Sequence, residues 1–171
     1  MSHWHPRHWK LGVASVDEAV FYQCLTAVRS RIRALALSGI ADASIVAKKL
    51  PLPRAFRDTG GIALPAIIIT PHRDRIDTAA GTNARDEITY HVLVTIFAAD
   101  NQEATLAASL DTYLKWRQRI HTAFRNQRLT GVSSIVNCRV ESYDVLHGPS
   151  WMDNLFVSGL ILQFISRETR G

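Results

Sequence analysis

Apolar positions recur at helical spacing twice and alternate at strand spacing three times along the chain. Phe21, Leu25, Val28, Ile32 and Leu35 lie four or three residues apart, which predicts an amphipathic helix over residues 16–37. Ser15 and Glu18 match a capping box at its start, and Ser38-Gly39 matches a stop. Residues 45–50 read as a short strand before Pro51 and Pro53, and Gly60-Gly61 as a turn. Ala66-Ile67-Ile68-Ile69, between Pro65 and Pro71, reads as a strand covered on both faces. Residues 87–99 alternate. Ile88, Tyr90, Val92, Val94 and Ile96 form an apolar face, and Thr89, His91, Leu93, Thr95 and Phe97 a mixed one. Asp100 to Glu103 repeats the capping logic, and Leu106, Leu110, Tyr113, Ile120 and Phe124 predict a second helix over 103–126. Residues 132–145 and 155–166 carry two further strand stripes joined by a turn-rich link, so they are expected to pair antiparallel.

Between the strands at 66–69 and 87–99 lies a polar stretch, residues 72–86, without hydrophobic period. Connections beyond about 12–15 residues are uncommon unless they serve a function. The stretch reads as an elongated hairpin or a mobile arm, with Arg73, Asp74, Arg75, Asp77 and Arg85 as its docking charges. The whole order predicts an α+β fold: an antiparallel sheet of about four to five strands with two main helices packed on one face. Residues 15–168 form the domain, and residues 1–14 a flexible or partner-bound extension. With both helices on one face, the other face of the sheet is expected to lie open around His91, Leu93, Thr95 and Phe97. An open semi-apolar face of that size points to self-association.

Length and composition set the bounds. The chain has 171 residues, enough for one domain, with 47% hydrophobic and 20% charged residues, a globular balance. No run approaches the roughly 20 apolar residues that span a bilayer, and the first ten residues lack a signal peptide's apolar core. The expectation is synthesis in the cytoplasm with no membrane partner. Cys24 and Cys138 are expected to be reduced core residues. Twenty bases against 15 acids give a net charge of +5. The bases concentrate at 25–60 and 103–128, and Arg29, Arg31, Arg33, Lys115, Arg117 and Arg119 form a candidate basic face. Those bases can face helix C-termini or contact a polyanion or an acidic partner.

Chemistry is sparse. There is no P-loop, G-x-G-x-x-G, H-E-x-x-H, G-x-S-x-G or C-x-x-C pattern, and the carboxylates are scattered. His3, His5 and His8 could chelate a metal adventitiously, and His91 and His121 lack partners at ligand spacing. The sequence predicts no catalytic residue, no metal site and no cofactor, and hence a non-enzymatic protein.

The quoted segments also carry a resemblance. An Arg-bearing helix precedes Pro65-Ala66-Ile67-Ile68-Ile69-Thr70-Pro71 and the polar stretch. Then come Tyr90-His91-Val92-Leu93-Val94-Thr95-Ile96-Phe97-Ala98, Leu114-Lys115-Trp116-Arg117-Gln118-Arg119-Ile120, and a last strand from Leu160 to Glu168. Over residues 16–168 this order resembles the tail terminator (tail completion) proteins of long-tailed bacteriophages. The resemblance implies a structural virion protein at the tail-neck junction, forming a ring, usually a hexamer. Such a ring terminates the tail tube, meets the head-side connector or stopper protein, and lets genomic DNA pass unread. On this view His91, Leu93, Thr95 and Phe97 meet a neighbouring subunit, and the 72–86 arm reaches the tube or a neighbour. The alternatives are another head-tail neck or tail-tube component, or a small nucleic-acid-binding α+β module.

Overall fold

A computed structural model describes residues 18–49, 62–82, 84–100, 108–152 and 154–169. Helix α1 spans Val20–Ala34, and a 3-10 turn, Asp42–Ser44, leads into β1, Ile45–Ala47. Strands β2 (Ala66–Thr82) and β3 (Arg85–Ala99) follow. Helix α2 is Ala108–Phe124, β4 is Ile135–Asp144, α3 is the short Gly148–Met152, and β5 is Leu155–Thr169. The five strands form one sheet in the order β1-β2-β3-β5-β4.

The fold is α+β as expected, and two details differ. The sheet is mixed, because β1 runs parallel to β2, with Ile45 opposite Ile67. Helix α1 starts at Val20 with Ala19 as an N-cap that makes no side-chain cap bond. Glu18 therefore precedes the helix, and its carbonyl accepts a hydrogen bond from Gln23 Nε2 at 2.7 Å. The stretch at 72–86 is the elongated hairpin of its two readings: β2 runs through it to Thr82, and β3 resumes at Arg85. Its pairing with β3, rather than an apolar period, makes it a strand. A register shift between Pro71 and Arg73 accommodates the proline, which has no N–H to give the ladder. Residues 1–14, the Ser15 cap, Gly60-Gly61, residues 101–107 and the His3, His5, His8 group lie outside the described residues.

One cluster holds the helices on the sheet. Cys24, Val28 and Ile32 of α1 and Tyr113, Trp116, Ile120 and Phe124 of α2 meet Val92, Val94, Ile96, Leu160, Leu162 and Phe164. A fully buried Ile or Phe contributes on the order of 1.5–3 kcal/mol, so this face dominates the stability. Trp116 Nε1 donates to Ser38 O at 2.9 Å, tying α2 to the turn that follows α1. Both cysteines are fully buried and free. Burial pushes each thiol up to about 12, with the Glu168 charge adding to the effect at Cys24. Strand β5 carries on through Arg167, Glu168 and Thr169. Glu168 accepts from Tyr90 Oη at 2.7 Å and Ser166 Oγ at 2.9 Å.

The sheet's second face departs from the open surface expected of it. His91, Leu93, Thr95 and Phe97 are all buried in the single chain, at 5, 7, 6 and 1% exposure. Ala66, Ile68, Thr70 and Ile161 are buried as well. Register places Ala66, Ile68 and Thr70 opposite Phe97, Thr95 and Leu93, with Ile161 beyond Leu93 on β5. Tyr143 lies against Gly159, where a Cβ would come within 3.0 Å of the tyrosine Cδ1 and 3.2 Å of its Cβ. Gly159→Val should therefore lose about 1–3 kcal/mol by overpacking. Adding Tyr143→Ala should recover most of it in a denaturant-melt double-mutant cycle. Simple additivity of the two changes would refute this contact.

A charged cleft on the second face

Below the buried centre of that face, toward the hairpin end, the sheet opens into a cleft of about 570 Å³. Register builds its floor. Arg73 on β2 stands opposite His91 on β3, His91 opposite Gln163 on β5, and Gln163 opposite Arg139 on β4. The next row toward the tip is Arg75, Thr89, Ile165 and Asn137. Beyond it Asp77 pairs with Glu87, whose carboxylate lies 3.8 Å from Arg167 Nε. A period of two puts Arg73, Arg75 and Asp77 on the cleft side and Ile76 on the other, and Asp74 also borders the cavity.

The electrostatics are uneven. Among the described residues, the guanidiniums of Arg73, Arg75 and Arg139 make no ion pair or hydrogen bond. All three residues are exposed. His91 sits under them, and its Nδ1 is buried with no hydrogen-bond partner among the described residues. Burial lowers the His91 pKa below the ordinary histidine value and the Arg73 charge lowers it further, while hydrogen bonding of the ring to the backbones of Arg73 and Thr89 works against the shift. The ring is thus neutral at pH 7. Gln163 donates Nε2 to Glu141 at 2.6 Å, which orients its amide toward β4.

The cleft gathers residues expected in two separate roles. His91 was expected at a subunit contact, and Arg73, Asp74, Arg75 and Asp77 on an arm; all five line this one cavity. Leu93, Thr95 and Phe97 do not join them and belong to the buried centre. Arg85 is exposed at the tip, where it pairs with Thr82 and Thr169. Sequence reasoning missed Arg139 and Gln163. Their only signal is the β4–β5 register, itself shifted between Ile135 and Asn137, and no local pattern gives it.

The candidate basic face has a different use. Arg31 Nη1 donates to Arg128 O at 2.9 Å, and its guanidinium stacks 5.2 Å from the Phe124 ring. Arg33 Nη2 donates to Ile45 O at 2.9 Å, and Arg119 Nη2 to Leu35 O at 2.6 Å. Arg117 binds the ends of β4 and β5, and Lys115 pairs with Asp111. Arg29 is half-buried, with its Nε unpartnered among the described residues. Four of these six bases thus clamp backbone carbonyls inside the chain.

A second groove, about 790 Å³, runs between α1 and residues 129–132 and is lined by Thr26, Ser30, Arg31 and Leu129. It holds no pair of close acids or imidazoles. Among the described residues, no group of three or more His, Cys, Asp or Glu could hold a metal ion, and no helix is long and apolar enough to cross a membrane. Comparison with known protein families and with curated proteins finds no match for this chain.

Proposed function

We propose that this chain is a structural ring subunit that terminates a bacteriophage tail tube and joins it to the head-side connector, with DNA passing through the channel. The observation that carries the reading is the β2–β3 hairpin. Residues 66–70 of β2 are buried, whereas residues 71–76 are exposed while still paired to β3. A rigid, charged, two-stranded arm of this kind suits contact with another subunit or the tube better than it suits catalysis. With His91, Leu93, Thr95 and Phe97 buried in the single chain, the proposed subunit contact is the arm and the β4 edge. Beyond that edge Tyr143, Val145 and Leu146 expose apolar surface in succession. A closed ring uses two different patches per subunit, and the arm and this edge supply two. A nucleic-acid-binding role is disfavoured, because Arg31, Arg33, Arg117 and Arg119 are committed to carbonyls within the chain.

Mass photometry of the full chain, alone and with purified tail tubes, tests the reading. A closed oligomer, six subunits by the resemblance, is the expected result. A strict monomer under both conditions would sink it. Replacing residues 76–88 by Asn-Gly joins Arg75 to Thr89, its partner in the hairpin, through a two-residue turn, so folding should survive and docking to tubes should be lost. Unchanged docking would show that the arm is not the contact.

A further inference from the structure

We infer that the cleft above His91 binds carboxylates of an acidic segment of a partner protein, with the guanidiniums of Arg73, Arg75 and Arg139 as donors. Three exposed guanidiniums from two strands face one cavity, and none has an internal partner among the described residues. Arg31, Arg33, Arg117 and Arg119, by contrast, are each engaged by a carbonyl. Strand spacing of about 4.8 Å sets the backbones of Arg73 and Arg139 roughly 14 Å apart across β3 and β5. Long side chains close that span from both sides and leave His91 and Gln163 as the floor.

The floor supports the same ligand. His91 is 5% exposed, lines the cleft, and has a buried Nδ1 without a partner among the described residues. A polar atom kept in that state costs stability unless a ligand or water completes it. A neutral imidazole beneath fixed guanidiniums adds a hydrogen-bonding group without adding charge. Guanidinium forks match carboxylate geometry in bidentate pairs.

The rim selects the partner class. Asp77 and Glu87 close the hairpin end of the same cavity. A nucleic-acid backbone carries a phosphate at every step and would meet those two carboxylates. A short acidic peptide has a free end and can stop short of them. The finite length of a 570 Å³ cleft suits a few side chains rather than a continuous polyanion.

What this cleft binds is independent of whether the chain forms a ring. The test is fluorescence anisotropy of labelled hexaglutamate against the full chain at 50 mM salt, with a labelled oligothymidylate as the competing probe. Hexaglutamate should bind, and the Arg73→Gln/Arg139→Gln double variant should weaken it by about tenfold or more. Arg75→Gln should weaken it less, and Arg125→Gln, away from the cleft, should leave it unchanged. Saturation should also shift the His91 imidazole resonances, a readout that general surface attraction would not move. Absence of binding, equal binding by the double variant, or tighter arginine-dependent binding of oligothymidylate would each overturn the assignment. A monomer that binds hexaglutamate sinks the ring reading alone, and a ring that ignores it sinks this one alone.

Discussion

Replacing Phe164 by alanine is expected to lower the free energy of unfolding by about 3–5 kcal/mol. Phe164 is fully buried on β5, opposite Tyr90 on β3 and Cys138 on β4. Its ring meets that of Phe124 edge-on at 6.2 Å, in the last turn of α2. The Arg31 guanidinium covers Phe124 from α1, at 5.2 Å. One side chain therefore joins three strands to both main helices, and the cavity left by alanine has rigid walls that cannot all collapse. For a domain of this size the loss corresponds to a melting-point drop of roughly 6–20 °C. Phe164→Leu keeps most of the volume and should cost about 1–2 kcal/mol. Guanidinium-melt midpoints of the two variants give the check. A Phe164→Ala midpoint close to wild type would mean that the α2–sheet contact is not where the stability resides.

That core was legible in the sequence because its period is local. The β3 alternation assigned Tyr90, Val92, Val94 and Ile96 to the helix-covered face, and the structure places them there. The α1 stripe was legible in the same way: Val28 and Ile32 are buried, while Phe21, Leu25 and Leu35 pack partly buried against the core. What the sequence did not disclose depends on contacts between distant residues. The 72–82 stretch has no apolar period, and the side chains of residues 72–76 are exposed, so only pairing with β3 marks it as a strand. The three-residue β1 is too short to announce that it runs parallel. The mixed face of β3 was expected to be left open for a neighbouring subunit, yet the single chain buries it. The cleft was half visible. Arg73, Arg75 and His91 stood out as unusual residues, but their meeting with Arg139 and Gln163 follows from three strand registers, two of them shifted.

Arg117 is the polar counterpart of Phe164, and replacing it by methionine should cost about 2–4 kcal/mol. It sits on α2 beside Trp116, and its side chain passes down to the sheet where β4 ends and β5 begins. Nη1 donates to Asp144 O at 2.9 Å, Ser158 Oγ at 2.8 Å and Gly159 O at 2.6 Å. Nη2 donates to Ser142 Oγ at 2.7 Å. Ser158 is fully buried and in turn donates to Asp144 O at 3.1 Å, so one guanidinium organises a closed network. Burial disfavours the charged form and lowers the Arg117 pKa from its ordinary value, with the nearby Asp144 charge opposing the shift. Methionine fills much of the same volume but leaves the acceptors without their charged donor. Lysine offers one ammonium in place of the planar fork, so Arg117→Lys should recover less than half of the loss. Denaturant melts measure both variants, and an unchanged Arg117→Met midpoint would refute the network's role. The same substitution links stability to assembly. Arg117 pins the end of β4, and Tyr143, Val145 and Leu146, in and just beyond that end, form the apolar patch proposed to meet the neighbouring subunit. At a temperature where Arg117→Met remains folded, faster hydrogen exchange should be confined to residues 142–147 and 158–159. Ring formation should weaken in step with that local loosening, and rings of wild-type stability over a frayed β4 end would separate the patch from the subunit contact.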